Sequence, residues 1–182
     1  MSDIISIAKK ALLLGDPSVG KTSLIRKYVY DKFDDKYIST LGTKISQKRI
    51  ILQHPEKEVK IDLNMMIWDM MGQKEFQMFH QTAYHGAQGA LIVSDLTRRE
   101  TLDNLTYWVS SLFNVTSEIP LVFIGNKNDL LEKLQFNEDD LTNVAMAFNA
   151  PTFLTSARTG ENVEESFITL GKGIIQHQKI EL

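Results

Sequence analysis

The sequence predicts an α/β domain in which a six-stranded, mostly parallel sheet carries helices on both faces, giving three layers. Three observations lead there. Six apolar runs alternate with helical patterns, and several runs are too continuously apolar to leave one face wet. One pair of runs is separated by too few residues for a crossover, so it predicts a single antiparallel hairpin, with one strand at a sheet edge.

The elements follow in chain order. "ALLLG" at 11–15 is the first strand and leads directly into a helical pattern over about 21–30. "KRIILQ" and "VKIDLNMMIWD" are the hairpin strands, with only "HPEKE" between them; its Lys-Glu mix suits a solvated edge. A helical pattern over about 75–84 precedes the strand "GALIVSDL". The pattern at 99–114 repeats Leu102, Leu105, Val109 and Leu112 at three- and four-residue spacing, which marks one buried face. "PLVFIGN", a helix over about 138–148, "APTFLTS" and a helix over about 162–178 complete the alternation of a doubly wound sheet. At 182 residues, without internal repeat or linker, a single domain over 1–182 is expected.

Composition narrows the function classes. Twenty Lys and Arg against 23 Asp and Glu leave a mildly acidic chain, with no basic cluster to attract nucleic acid or anionic membrane. The absence of cysteine rules out disulfides, thiolate zinc sites, cysteine nucleophiles, prenylation and palmitoylation. Ser2 is not a myristoylation acceptor, the first residues lack the order of a signal peptide, and no apolar run is long enough to span a membrane. A cytoplasmic, monomeric protein is expected, associated with membranes only through a partner.

The chemistry begins where the first strand ends. Gly15-Asp16-Pro17-Ser18-Val19-Gly20-Lys21-Thr22 matches G-x-x-x-x-G-K-[ST] and opens a helix. That spacing lets successive backbone N–H groups of Ser18, Val19, Gly20, Lys21, Thr22 and Ser23 curl around phosphates while the helix N-terminus points its dipole at them. Lys21 places a positive charge at the outer phosphates, and Thr22 offers a hydroxyl to Mg²⁺. Two later loops concern the base. Asn126-Lys127-Asn128-Asp129 and Thr155-Ser156-Ala157-Arg158 each follow an apolar strand. A carboxylate at Asp129 accepts guanine N1–H and the exocyclic amine together, a pattern adenine does not present.

With these motifs in this order, the chain resembles a Ras-superfamily small GTPase, nearest in texture to the Rab branch, from about residue 8 to 178. The resemblance implies the three-layer P-loop GTPase fold, a guanine-nucleotide switch that binds GTP and GDP with Mg²⁺, and slow hydrolysis of GTP. It implies that Asn126 ties the base loop to the phosphate loop, that Lys127 covers the base and that Asp129 recognises guanine. Ser156 and Ala157 would face guanine O6 through their backbone, with Arg158 beside them and Phe33 packed on the base. "YISTLG" at 37–42 resembles the first switch segment, with Tyr37 over the phosphates and Thr40 as a second Mg²⁺ ligand beside Thr22. Asp69 would act on the metal through a water, Gly72 would sense the γ-phosphate through its N–H, and Gln73 would orient the attacking water. Effectors and activating or exchange proteins would dock on the switch segments.

Three departures from the family bear on rate and partners. Met70-Met71 replaces the usual Thr-Ala between the acid and the glycine, and four of seven methionines fall within 65–71, which suggests one soft apolar patch behind the switch. Pro17 removes a backbone donor from the phosphate loop. Trp68 is kept from the Rab aromatic surface, but Ile45 and Ala83 stand where its other aromatics would be, Lys44 replaces an acid, and Phe76, Phe79 and Tyr84 could form a different face. The chain ends without a lipidation signal, so no direct lipid anchor is expected. A second reading therefore stays open: a GTP/GDP-binding interaction module with negligible hydrolysis.

Overall fold

The structure, a computed structural model, describes residues 4–34 and 42–178. Its strands are β1 (Ile4–Leu14), β2 (Lys44–Gln53), β3 (Lys60–Asp69), β4 (Gly89–Asp95), β5 (Leu121–Asn126) and β6 (Thr152–Thr155), ordered β2-β3-β1-β4-β5-β6. Only β2 runs antiparallel, paired with β3 from Lys44↔Asp69 to Gln53↔Lys60, and it lies at the edge as the short connection requires. The remaining pairs are parallel, giving the P-loop GTPase arrangement of strands and helices expected from the sequence.

β1 begins seven residues before the apolar run that announces it. Its first half pairs with β3 alone, from Ile4↔Lys60 onward, so backbone pairing carries the strand through Lys9 and Lys10. Lys10 is accommodated by lying over the Trp68 ring, 3.6 Å from its centroid, and by donating to the His85 carbonyl at 2.9 Å.

The helices are α1 (Lys21–Tyr30), α2 (Gln77–Tyr84), α3 (Arg99–Asp103), α4 (Leu105–Phe113), α5 (Glu138–Met146) and α6 (Val163–His177). The pattern at 99–114 is thus two helices broken at Asn104, although Leu102, Leu105, Val109 and Leu112 still share a buried face. Periodicity cannot see such a break, because the apolar spacing runs through it unchanged. The pattern at 75–84 opens as a 3₁₀ turn over Lys74–Phe76 before becoming α2.

Alternation along the strands divides the core in two. Ala11, Leu13, Leu63, Met65 and Ile67 pack with Leu24 and Phe167 on the α1 and α6 side, while Leu12, Leu14, Ile92 and Phe123 pack with Trp108 and Leu141 on the other. This corrects the expected methionine patch: Met65 belongs to the first core and Met70 to the second, on opposite faces of the sheet. Tyr84 is wholly buried in the second core, so it is not part of an outward aromatic face, whereas Phe76 and Phe79 remain exposed. No helix among the described residues is long and apolar enough to cross a membrane.

Candidate functional site

The phosphate loop leaves β1 in a conformation that three residues hold by positive φ, Gly15 at 149°, Ser18 at 64° and Gly20 at 104°. Gly20 also has no room for a side chain: a Cβ there would lie 2.2 Å from Asn126 Nδ2. That amide donates instead to Val19 O at 2.9 Å, which joins the end of β5 to the phosphate loop. Lys21 folds back over the loop, and its ammonium donates to Gly15 O and Asp16 O, both at 2.8 Å. Burial pushes the Lys21 pKa down to about 8 against the pull of Asp69 and Asp16, with Arg98 adding to the decrease. The first turn of α1 carries no acidic side chain and no side-chain cap, so its N–H groups and positive dipole end are available to an anion.

Asp69 ends β3 beside this loop. Its Oδ2 accepts from Thr22 Oγ1 at 2.5 Å, while its Oδ1 is buried without a hydrogen-bond partner. Burial raises its pKa, and the Thr22 hydroxyl and the Lys21 charge only partly offset this. A buried anionic oxygen without a donor, next to a threonine hydroxyl, suits a hard cation that needs few protein ligands. No cluster of three or more His, Asp or Glu exists among the described residues that would hold a metal on protein groups alone.

The segment after Asp69 turns back onto the phosphate loop. Gly72 is buried, and a Cβ there would meet Pro17 N at 2.4 Å and Asp16 O at 2.7 Å, so only a hydrogen fits at this contact. Met70 and Met71 are both buried, and Met70 packs in the second core with Thr43 Oγ1 donating to its sulfur at 3.7 Å. Gln73 follows, half-buried, at the start of the 3₁₀ turn. Truncating Met70 to alanine is expected to cost about 2–4 kcal/mol of stability, as for other fully buried methionines. An unshifted urea midpoint would show that Met70 contributes no packing.

At the other end of the cleft, Gly20, Ser23, Phe33, Asn126, Lys127, Asp129, Leu130, Ala157 and Arg158 line one recess. Asn126 is buried; besides the bond to Val19, its Oδ1 accepts from Thr155 Oγ1 at 3.0 Å and from Ala157 N at 3.3 Å. Asp129 Oδ1 accepts from Ser156 Oγ at 2.7 Å, which fixes the carboxylate toward the recess. Ser156 N–H itself donates to Glu161 O at 3.2 Å. Tyr37 and Thr40 lie outside the described residues.

Sequence motifs did not point to a second set of residues, supplied by β4 and the helices after it. Lys127, with φ at 70°, sends its ammonium to Asp95 Oδ2 at 2.6 Å. Burial alone would raise the Asp95 pKa, but hydrogen bonds from Lys127 and Thr97 outweigh it and hold the carboxyl below its ordinary value. Arg98 Nε donates to the same Oδ2 at 3.1 Å, and its NH2 reaches Pro17 O at 2.7 Å. Asp16 receives Asn104 Nδ2 at 2.6 Å and Trp108 Nε1 at 2.8 Å. A buried acid at the carboxyl end of a central strand is the signal that would have found Asp95, since ligands of open α/β sheets gather at those ends.

The Ras family model matches residues 10–176. Ras-related protein Rab-27B of Rattus norvegicus is 36% identical over 167 residues, spanning 88% of this chain and 77% of that protein. Ras-related protein Rab-8B of Homo sapiens is 33% identical over 167 residues, with 91% and 78% covered. Ras-related protein RABD1 of Arabidopsis thaliana is 34% identical over 171 residues, with 93% and 80% covered.

Proposed function

Because the chain belongs to the Ras family and is a Rab-like small GTPase, we propose that it binds GTP and GDP with Mg²⁺ and hydrolyses GTP slowly until a partner accelerates it. The observation that carries this reading is the grouping around the phosphate loop of a buried lysine, an acid with one buried oxygen that has no donor, and a recess lined by a carboxylate. In this reading Lys21 and the N–H groups of Ser18 to Ser23 hold the phosphates, and Asp129 selects guanine with Asn126, Lys127, Ser156, Ala157, Arg158 and Phe33 around it. Thr22 and Asp69, with Thr40 from the undescribed segment, are the groups that would hold Mg²⁺, which when bound supplies positive charge to the phosphates. Gln73 orients a water toward the γ-phosphorus; the bond to the β–γ bridging oxygen breaks, leaving GDP and inorganic phosphate.

Slow turnover follows from the cations that are missing. Residues 31–43 contain no arginine, and Arg98 is engaged by Asp95 and Pro17 O. An arginine supplied by a partner contributes about 10³–10⁵ in rate for this chemistry. Phe76, Met78 and Phe79, exposed on the turn and α2, are the apolar side chains on which such a partner or an effector docks.

Gln73→Leu is expected to lower single-turnover phosphate release by about 10²-fold while leaving GTP affinity nearly unchanged. A Gln73→Leu variant that hydrolyses at the parent rate would remove Gln73 from the mechanism. The second reading, a binding module with negligible hydrolysis, is favoured by Met70, whose burial in the core anchors the segment that must move. Intact GTP recovered from loaded parent protein after prolonged incubation with Mg²⁺ would select it.

A further inference from the structure

We infer that Asn104 is a positioning residue for hydrolysis, a clip that fastens the segment bearing Gln73 to the phosphate loop. The inference rests on the reading that Gln73 orients the attacking water. Lys74, the next residue, sends its ammonium 2.7 Å to Asn104 Oδ1 and lies 4.6 Å from the centroid of the Tyr107 ring. On its other side Asn104 donates from Nδ2 to Asp16 Oδ2 at 2.6 Å. The carbonyl of that same Asp16 accepts from the Lys21 ammonium at 2.8 Å. Two side-chain links therefore run from the neighbour of Gln73 to the residue whose backbone holds Lys21.

The chemistry explains why an amide stands at this point. A primary amide has an acceptor at one end and donors at the other, so it fits between an ammonium and a carboxylate in one orientation only. Aspartate would face Asp16 with like charge, and lysine or arginine would face Lys74. The clip is mounted at the break between α3 and α4, and α4 buries Leu105, Trp108, Val109 and Leu112 in the core. Trp108 also bonds the second oxygen of Asp16 at 2.8 Å, so the carboxylate that receives the clip is itself held from the same helix. Asn104 keeps an αR backbone there, with its N–H bonded to Glu100 O at 3.1 Å and its carbonyl accepting from Trp108 N at 3.3 Å, so its amide is presented to the site from a hydrogen-bonded helical turn.

The test compares Lys74→Met, Asn104→Leu, their double variant and Lys74→Arg, all loaded with GTP and Mg²⁺. Three quantities are read: single-turnover hydrolysis, nucleotide release, and amide hydrogen exchange over residues 72–78. Each single loss of the clip is expected to slow hydrolysis about tenfold, a modest misplacement of the water-orienting group. The double variant should be no slower than about twofold below the slower single, because both changes cut one linkage. Exchange over 72–78 should quicken in all three, nucleotide release should rise only where Asn104 is lost, and Lys74→Arg should restore hydrolysis. Parent-like hydrolysis in Lys74→Met, or losses that multiply in the double variant, would overturn the clip. If the parent itself does not hydrolyse GTP, the functional reading fails separately. Exchange over 72–78 then decides the clip, and no change in Lys74→Met overturns it.

Discussion

Replacing Lys21 with methionine is expected to leave the nucleotide-free protein slightly more stable while abolishing tight GTP binding. The Lys21 ammonium sits in the interior with its pKa lowered from 10.5 to about 8, so at pH 7 the buried charge costs about 3 kcal/mol relative to the unfolded chain. Methionine removes that cost but leaves Gly15 O and Asp16 O without their donor, a loss of about 1 kcal/mol each. The net gain is therefore about 1 kcal/mol. The sign of the pH dependence is a sharper test. Between pH 8 and 10.5 the unfolded chain binds more protons at this lysine than the folded protein, so stability rises with pH across that window. In Lys21→Met the part of that rise due to Lys21 should be lost, leaving the smaller slope set by groups such as Lys10, whose pKa burial also lowers. With nucleotide, the phosphates supply the counter-charge that the fold withholds, and removing the lysine should weaken GTP by at least about 10²-fold. Urea titrations in EDTA at pH 7, 8 and 10, beside GTP titrations, check both halves. A variant that is less stable at pH 7 and rises from pH 8 to 10 as steeply as the parent would refute the account.

Asp129→Asn is expected to lose GTP by about 10⁴-fold, the scale on which a site built to accept hydrogen bonds rejects a mismatched partner. Ser156 Oγ holds Asp129 Oδ1 at 2.7 Å, and asparagine can keep that bond through its carbonyl. Its amide nitrogen would then face the exocyclic amine of guanine, donor against donor, in a recess that Phe33 and Ala157 help to close. Xanthine carries a carbonyl where guanine carries the amine, so the variant should prefer xanthosine triphosphate while ATP stays weak for both proteins. Competition among GTP, xanthosine triphosphate and ATP gives the answer. Unchanged preference for GTP would place the guanine contact elsewhere.

The sequence disclosed the parts whose signal is local. Strands β4 and β5 are buried on both faces and show as unbroken apolar runs; the phosphate and base loops are contiguous motifs. What escaped is assembled from distant residues. The first half of β1 has little apolar signal beyond its pairing with β3, and the division between α3 and α4 at Asn104 leaves the helical spacing intact. Met65 and Met70, close in sequence, went to opposite cores because the strand alternates and the turn after Asp69 crosses the sheet end. The ring of Asp95, Arg98, Asn104 and Trp108 around the phosphate loop has no motif at all. Its members meet only because β4 lies beside β1.

The contact between Gly72 and Pro17 has a mechanical meaning. Pro17 is rigid in two ways: its ring fixes its own φ, and its carbonyl is tethered by Arg98. The glycine opposite it has neither restraint. The pair therefore works as an anvil and a hammer rather than as two facing springs, and any opening between them is travel by the residues that follow the buried Met70. Substituting the anvil should change how hard the moving part stops, whereas substituting the hammer should decide whether it arrives.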